Sequence, residues 1–387
     1  MEKADFYKDV RADCAGPCEG LVVIEMTTSW AGPMAGCILA DFGAQVIKVE
    51  HPGGEVMRRQ PIGIPGSDLM ILHETVNRNK HSVSLDLHDA GDREEFLKLC
   101  ASADIVIENF RPGTLESWGM GYKDIAEIKP DIIYVSISGF GQFGELSDRA
   151  CYDPIAQNYC GWTSIAGGPD QPPMKAPTFL GDDLAGLHGA LGALAALRHR
   201  ERTGEGQHVD VSLIDSLLSA SNGNLTAGAY GIKIPKTGNE HQSAMPSNVF
   251  ECKDGSAYIA TLLDSHWDSM AALIGRPDLE GLKLAQRLER RVELNKILAD
   301  WCIRQPVDFV VEAFASKGLA VTRVNSFAEV AREEHIASRD MLQSVRLSDG
   351  VDAPLTGPAV KFSRTPTSIR SAAPAIGQHN SKYIKDK

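Results

Sequence analysis

The sequence predicts an α/β protein: a large Rossmann-like domain with an open, mainly parallel sheet, plus a smaller α+β domain. Two observations carry this prediction. Apolar runs of strand length alternate with helical segments through the first half of the chain, with loops at the strands' carboxyl ends. After Asn222 the texture changes to turn formers followed by charged helices.

LVVIEM (residues 21–26) is a continuous apolar run of strand length, and the amphipathic MAGCILADFG follows it. QVIKVEHP and HSVSLDL read as the next strands, DREEFLKLCASA as a helix, and DIVIENF as a fourth strand. YKDIAEIKPDIIYVSISGFG supplies a short helix and a fifth strand. A long helix begins at GDDLAGLHGALGALAALRHR (residues 181–200), where Leu184, Leu187, Leu191 and Leu194 recur at helical spacing. Gly186, Gly189, Ala190 and Ala193 would let a neighbouring element come close, and acidic start and basic end both suit the helix dipole. HVDVSLIDSLL adds a strand and a helix. Residues 1–225 thus form the large domain and 226–335 the small one, which contains a hairpin around Asp254 and Gly255. The tail, 336–387, is expected to return to the large domain.

At 387 residues the chain can bury a large core without disulfides or metals. Its composition, 43% hydrophobic and 23% charged, is that of a water-soluble protein, and no apolar run approaches bilayer length. The amino terminus is mixed in charge and carries no apolar signal core, so a cytoplasmic protein is expected. A net charge of −12 argues against nucleic-acid binding, which needs a basic surface. Cys14 and Cys18 have no second Cys or His pair at zinc spacing, so the eight cysteines read as packing thiols and no metal is expected. Neither G-x-G-x-x-G nor G-x-x-x-x-G-K-[ST] occurs, which removes the main support for a nicotinamide or ATP site.

Asp182 and Asp183 open the long helix. Spacing alone favours helix capping, with a covalent carboxylate nucleophile as the alternative. Residues 29–54 (SWAGPMAGCILADFGAQVIKVEHPGG), NRNKHSVSLDL, IENFRPG, SGFGQFG, YDPIAQ, GDDLAGLHGALGALAAL and RTGEGQHVDVSLIDSLL follow one another in that order. Taken together, these segments resemble the family III CoA-transferases, the CaiB/BaiF group.

The resemblance implies that the nucleophile is Asp182, because Gly186 and His188 follow it four and six residues later; Asp183 becomes a cap or structural partner. It implies transfer of CoA from an acyl-CoA such as succinyl-CoA to a carboxylic acid, through an aspartyl mixed anhydride and an aspartyl-CoA thioester. CoA is then a substrate, and no permanently bound cofactor is expected. The implied CoA contacts are Ser29, Trp30, Ala31, Asn109, Phe110 and Trp118. His51 and Ser117 stand where relatives often carry basic residues, Arg58, Arg59, Arg78, Lys80 and Arg111 are alternative cations for the phosphates, and Asn79 is a further CoA contact. Tyr152 and Asp153 are implied supports of the site; the glycine lid of the formyl-CoA enzyme has no counterpart in KTGNEHQSAMPSN, so Gly139, Gly141 and Gln142 are candidates for a cover, with a plain turn as the alternative. An α-methylacyl-CoA racemase is the alternative enzyme, but Tyr152 occupies the place of its acid/base His, and a free tyrosine titrates near pH 10. A CoA-binding, non-catalytic subunit is the non-enzyme alternative. The implied assembly is an interlocked homodimer, or a heteromer, with no nucleic-acid or membrane partner.

Overall fold

The computed structural model describes residues 1–384. The chain divides into two compact units. The larger comprises Met1–Trp162, Lys175–Ala229 and the tail from Glu334; the smaller comprises Thr163–Met174 and Tyr230–Glu333. Residues 163–174, placed in the large domain by sequence, lie with the smaller unit instead. Their backbone takes hydrogen bonds from it: the Gly238 N–H donates to the Gly167 carbonyl (3.0 Å) and Lys236 Nζ to that of Gln171 (2.7 Å).

The larger unit is built on six strands: β1 (Val22–Met26), β2 (Gln45–Glu50), β3 (Lys80–Ser84), β4 (Ile105–Glu108), β5 (Ile133–Ser138) and β6 (Gln207–Ser212). They run parallel in the order β3-β2-β1-β4-β5-β6. Because alternate side chains point to opposite faces, Val23, Ile105, Ile107, Ile133 and Val135 enter one core while Ile24, Val106 and Tyr134 enter another. Both faces are covered, which explains why these strands read as unbroken apolar runs.

Helices α1 (Ala31–Asp41), α2 (Ala90–Ala101), α3 (Tyr122–Ile128), α4 (Asp153–Tyr159), α5 (Leu180–Thr203) and α6 (Leu213–Ser219) supply the cover. Residues of α2 and α3 join the second core; those of α1, α4, α5 and α6 join the first. The leucines of α5 are not its buried stripe. Leu187 and Leu191 are exposed, whereas Gly181, Ala185, Gly186, Gly189, Ala190, Ala193 and Ala196 are buried. Small residues face inward because α1 and β5 lie too close for anything larger. A Cβ on Gly186 would stand 2.8 Å from Met34 Cβ and 2.9 Å from the Ala31 carbonyl oxygen, and one on Gly189 2.7 Å from Ile137 Cδ1.

The tail closes the β3 edge, which would otherwise present unpaired backbone groups. The His379 N–H donates to the Ser82 carbonyl (2.9 Å), and the Ser84 N–H donates to Asn380 Oδ1 (2.9 Å). A second tail segment forms an antiparallel pair, β10 (Leu342–Arg346) with β11 (Asp352–Thr356). The smaller unit carries an antiparallel sheet of β7 (Ser247–Cys252), β8 (Gly255–Ala260) and β9 (Ala320–Arg323), in which β7 and β8 form the expected hairpin. Trp267, Leu294, Leu298 and Phe314 fill its core.

Gly186→Ala tests the helix contact with an unambiguous sign. At an open helix position the change would stabilise by about 1 kcal/mol. Here the added carbon meets backbone, so a loss of about 2 kcal/mol is expected, read as a lower urea midpoint with an unchanged slope.

Candidate active site

The strand order reverses at β1 and β4, and in open α/β sheets the crevice at that point is where ligands bind. Asn109, the residue after β4, clamps the loop that follows β1. Its Oδ1 accepts the Thr28 N–H at 2.9 Å and its Nδ2 donates to the Thr28 carbonyl at 2.7 Å. Glu55 is a second anchor, accepting the N–H groups of Ser29 (3.2 Å) and Met57 (3.0 Å). Between these anchors Ser29 holds a left-handed φ of 67°, and Trp30 leads directly into α1.

This loop forms one wall of a cavity of about 270 Å³ that brings together Ser29, Trp30, Ala31, Asn109, Phe110, Arg111, Tyr152 and Asp182. Eight residues from four separate stretches of sequence thus share one space. Thr28 and Phe110 also border an adjoining cavity of about 210 Å³ that holds His51 and Trp118. There the Trp118 ring stands 4.8 Å from that of His88 and 5.9 Å from that of Phe110, an aromatic wall suited to a flat ring. Arg149 and Cys151 in the first cavity and His88 in the second were not singled out from sequence. The available signal was position, since all three lie beyond the carboxyl ends of strands, in the loops after β5 and β3.

Asp182 and Asp183 have different surroundings. The Asp183 carboxylate accepts the Trp30 indole N–H at 2.6 Å, fixing that ring against the cavity. Neither aspartate caps the helix. The cap comes from α4: Asp153, 2% exposed, accepts the Gly181 N–H at 2.7 Å and the Gln157 amide at 2.7 Å. Asp182 is left facing the cavity. Despite its place at the helix start, burial, followed by the charges of Asp153 and Asp183, pushes its pKa up to about 7. Tyr152, by contrast, is 73% exposed at the cavity rim. His188, one turn and a half further along α5, has a buried Nδ1 with no hydrogen-bond partner among the described residues.

Several predicted contacts are engaged elsewhere. Lys80 is fully buried and pairs with Glu25 at 2.6 Å, in a cluster completed by Lys48 at 3.1 Å, so its charge is consumed inside the protein. Asn79 accepts the N–H groups of Arg370 (2.6 Å) and Ser371 (3.0 Å) and donates to Asp41 (2.8 Å), which makes it a docking post for the tail. Arg58 lies in a two-pronged pair with Glu50 (2.9 and 2.7 Å) and also donates to the Pro374 carbonyl. Gly141 and Gln142 do not border either cavity described here. Their N–H groups are tied to Ser138 Oγ and the Asp210 carboxylate, both at 3.0 Å, so they anchor the loop, and only Gly139 borders the cavity. Among the described residues no helix is long and apolar enough to cross a membrane, and no cluster of His, Cys, Asp and Glu could hold a metal.

Comparison with known proteins agrees with this architecture. The family model described as CoA-transferase family III matches residues 18–380. A succinyl-CoA:mesaconate CoA-transferase from Haloarcula hispanica is 35% identical over 383 residues, covering 96% of both chains. A succinyl-CoA–L-malate CoA-transferase beta subunit from Chloroflexus aurantiacus is 34% identical, covering 96% of this chain and 94% of that one. The crystal structure of a CAIB/BAIF family protein from Brucella suis superposes with a TM-score of 0.85 at 31% identity, over 95% of this chain and 98% of that one.

The raised pKa of Asp182 has a thermodynamic consequence. The folded state holds its proton up to about pH 7, whereas the unfolded chain releases it near 3.8. Stability therefore falls as pH rises through that window. Asp182→Asn is expected to match the parent below pH 4 and to exceed its melting temperature increasingly up to pH 8. Asp153→Asn, which keeps an acceptor for the Gly181 N–H but removes a neighbouring charge, should lower the Asp182 midpoint in a ¹³C-carboxyl NMR titration.

Proposed function

We propose, from the premise that this chain belongs to the family III CoA-transferases, that it moves CoA from succinyl-CoA or a similar donor to a small dicarboxylic or hydroxy acid through covalent intermediates on Asp182. The supporting observation is the placement of Asp182: a carboxylate facing a cavity at the strand ends, its neighbour Asp183 already engaged by Trp30. Relatives named for succinyl-CoA with mesaconate or malate favour that substrate class.

The ionised Asp182 oxygen attacks the thioester carbonyl, the C–S bond breaks, and an acyl-aspartyl anhydride and CoA thiolate result. The thiolate attacks the aspartyl carbonyl of the anhydride, releasing the donor acid and leaving an aspartyl-CoA thioester. An acceptor carboxylate then attacks this thioester, giving a second anhydride and freeing the thiolate once more. Attack of the thiolate on the acceptor's acyl carbon yields the new CoA thioester and restores Asp182. No net proton is taken up or released, so the cycle needs a nucleophile and exclusion of water and no resident acid.

With a midpoint of about 7, Asp182 is largely protonated in mildly acidic solution, and kcat/KM should climb with pH and level off above that point. His51, Phe110 and Trp118 bordering the adjoining cavity are the proposed seat of the nucleotide end of CoA. The reading includes an interlocked dimer, tested by sizing the protein in solution. Asp182→Ala should lower transfer from succinyl-CoA by about 10⁴-fold or more. Hydroxylamine added to a mixture of enzyme and donor should modify Asp182, located by peptide mass; label on any other residue contradicts the mechanism.

A further inference from the structure

The Asp182 cavity contains a cation that the reaction above does not use. Arg149 sits in the loop between β5 and α4, three residues before Tyr152, and borders the same cavity as Asp182. Its backbone is fixed by turns, with the Ser147 N–H donating to the Gly144 carbonyl (3.3 Å) and the Arg149 N–H to the Leu146 carbonyl (2.9 Å). Arg149 is exposed, and among the described residues its guanidinium has no carboxylate partner; the same holds for Arg111 in this cavity, which lies in the loop after β4. Cys151 borders the same cavity. Its thiol, pushed up mainly by burial, is raised further by Asp182 and lowered by Arg149.

A nucleophile at one place in a cavity and an unmatched guanidinium at another suit a ligand with a reacting carbonyl at one end and a fixed anion at the other. The phosphates of CoA are a poor match, because the pantetheine arm holds them far from the thioester and the proposed nucleotide seat is the adjoining cavity. A second carboxylate on the acyl group is a good match, since guanidinium binds carboxylate in a planar two-point pair.

We infer that Arg149 receives the distal carboxylate of a dicarboxylic acyl group, and so selects short diacids over monocarboxylic acids of the same length. This inference rests on Asp182 being the acyl-accepting residue.

The test is isotope exchange, which needs one acid and its own CoA ester. Labelled succinate entering succinyl-CoA is compared between the parent and Arg149→Gln, with the Kd of desulfo-CoA measured by calorimetry to report the CoA site and the fold. The expected result is a fall in kcat/KM of about 50-fold, mostly in the KM for succinate, with desulfo-CoA binding retained and Arg149→Lys recovering part of the loss. Unchanged exchange overturns the inference, and so does a weakening of desulfo-CoA binding that matches the loss. A parent that exchanges butyrate but not succinate also overturns it while leaving the transferase reading intact. A parent that exchanges no acid at all overturns both.

Discussion

The closeness of α5 to α1 and β5 is the constraint on which the site depends. Gly186 and Gly189 leave no room for a side chain between these elements, so the position of α5 is set by backbone contact, which has few ways to relax. The first turn of α5 is thereby placed beside the loops that end β1 and β5. Asp182 reaches the cavity because of where its helix is held, and the small residues about one and two turns further along are part of that holding.

Asp153 then links position to protonation. Its buried carboxylate accepts the Gly181 N–H and so ties α4 to the first turn of α5. The same charge, next after burial itself, raises the pKa of Asp182. One group therefore both locates the neighbouring carboxylate and makes it less willing to be ionised. A carboxylate destabilised as an anion gains more on forming a neutral acyl bond than one stabilised by hydrogen bonds. Trp30 contributes on the other side by occupying Asp183, so that two adjacent, chemically identical residues acquire separate roles.

Much of this was legible in the sequence. Strands buried on both faces appear as apolar runs, and their alternation with helices implies the parallel sheet. Asp182 was distinguished from Asp183 by resemblance at Gly186 and His188, which spacing alone left open. What could not be read was pairing at a distance. Lys80 and Arg58 look like free cations in a string of letters, yet Glu25 neutralises Lys80 from another strand of the sheet and Glu50, at the end of β2, folds back onto Arg58. Arg149 looks no different from either and is unmatched. The leucines of α5 misdirect for a related reason: periodicity shows which residues share a face, and backbone proximity decided that the glycine and alanine face is the buried one.

The closure of β3 by the tail bears on how the chain is made. Ser82 and Ser84 bond to His379 and Asn380, nearly 300 residues later. During synthesis from the amino terminus, the edge of the sheet stays open until residues 379 and 380 have left the ribosome, after the intervening smaller unit has emerged. The larger unit is thus completed last although it is begun first, and for the interval between, its uncovered strand is the part of the nascent chain most in need of protection from its neighbours.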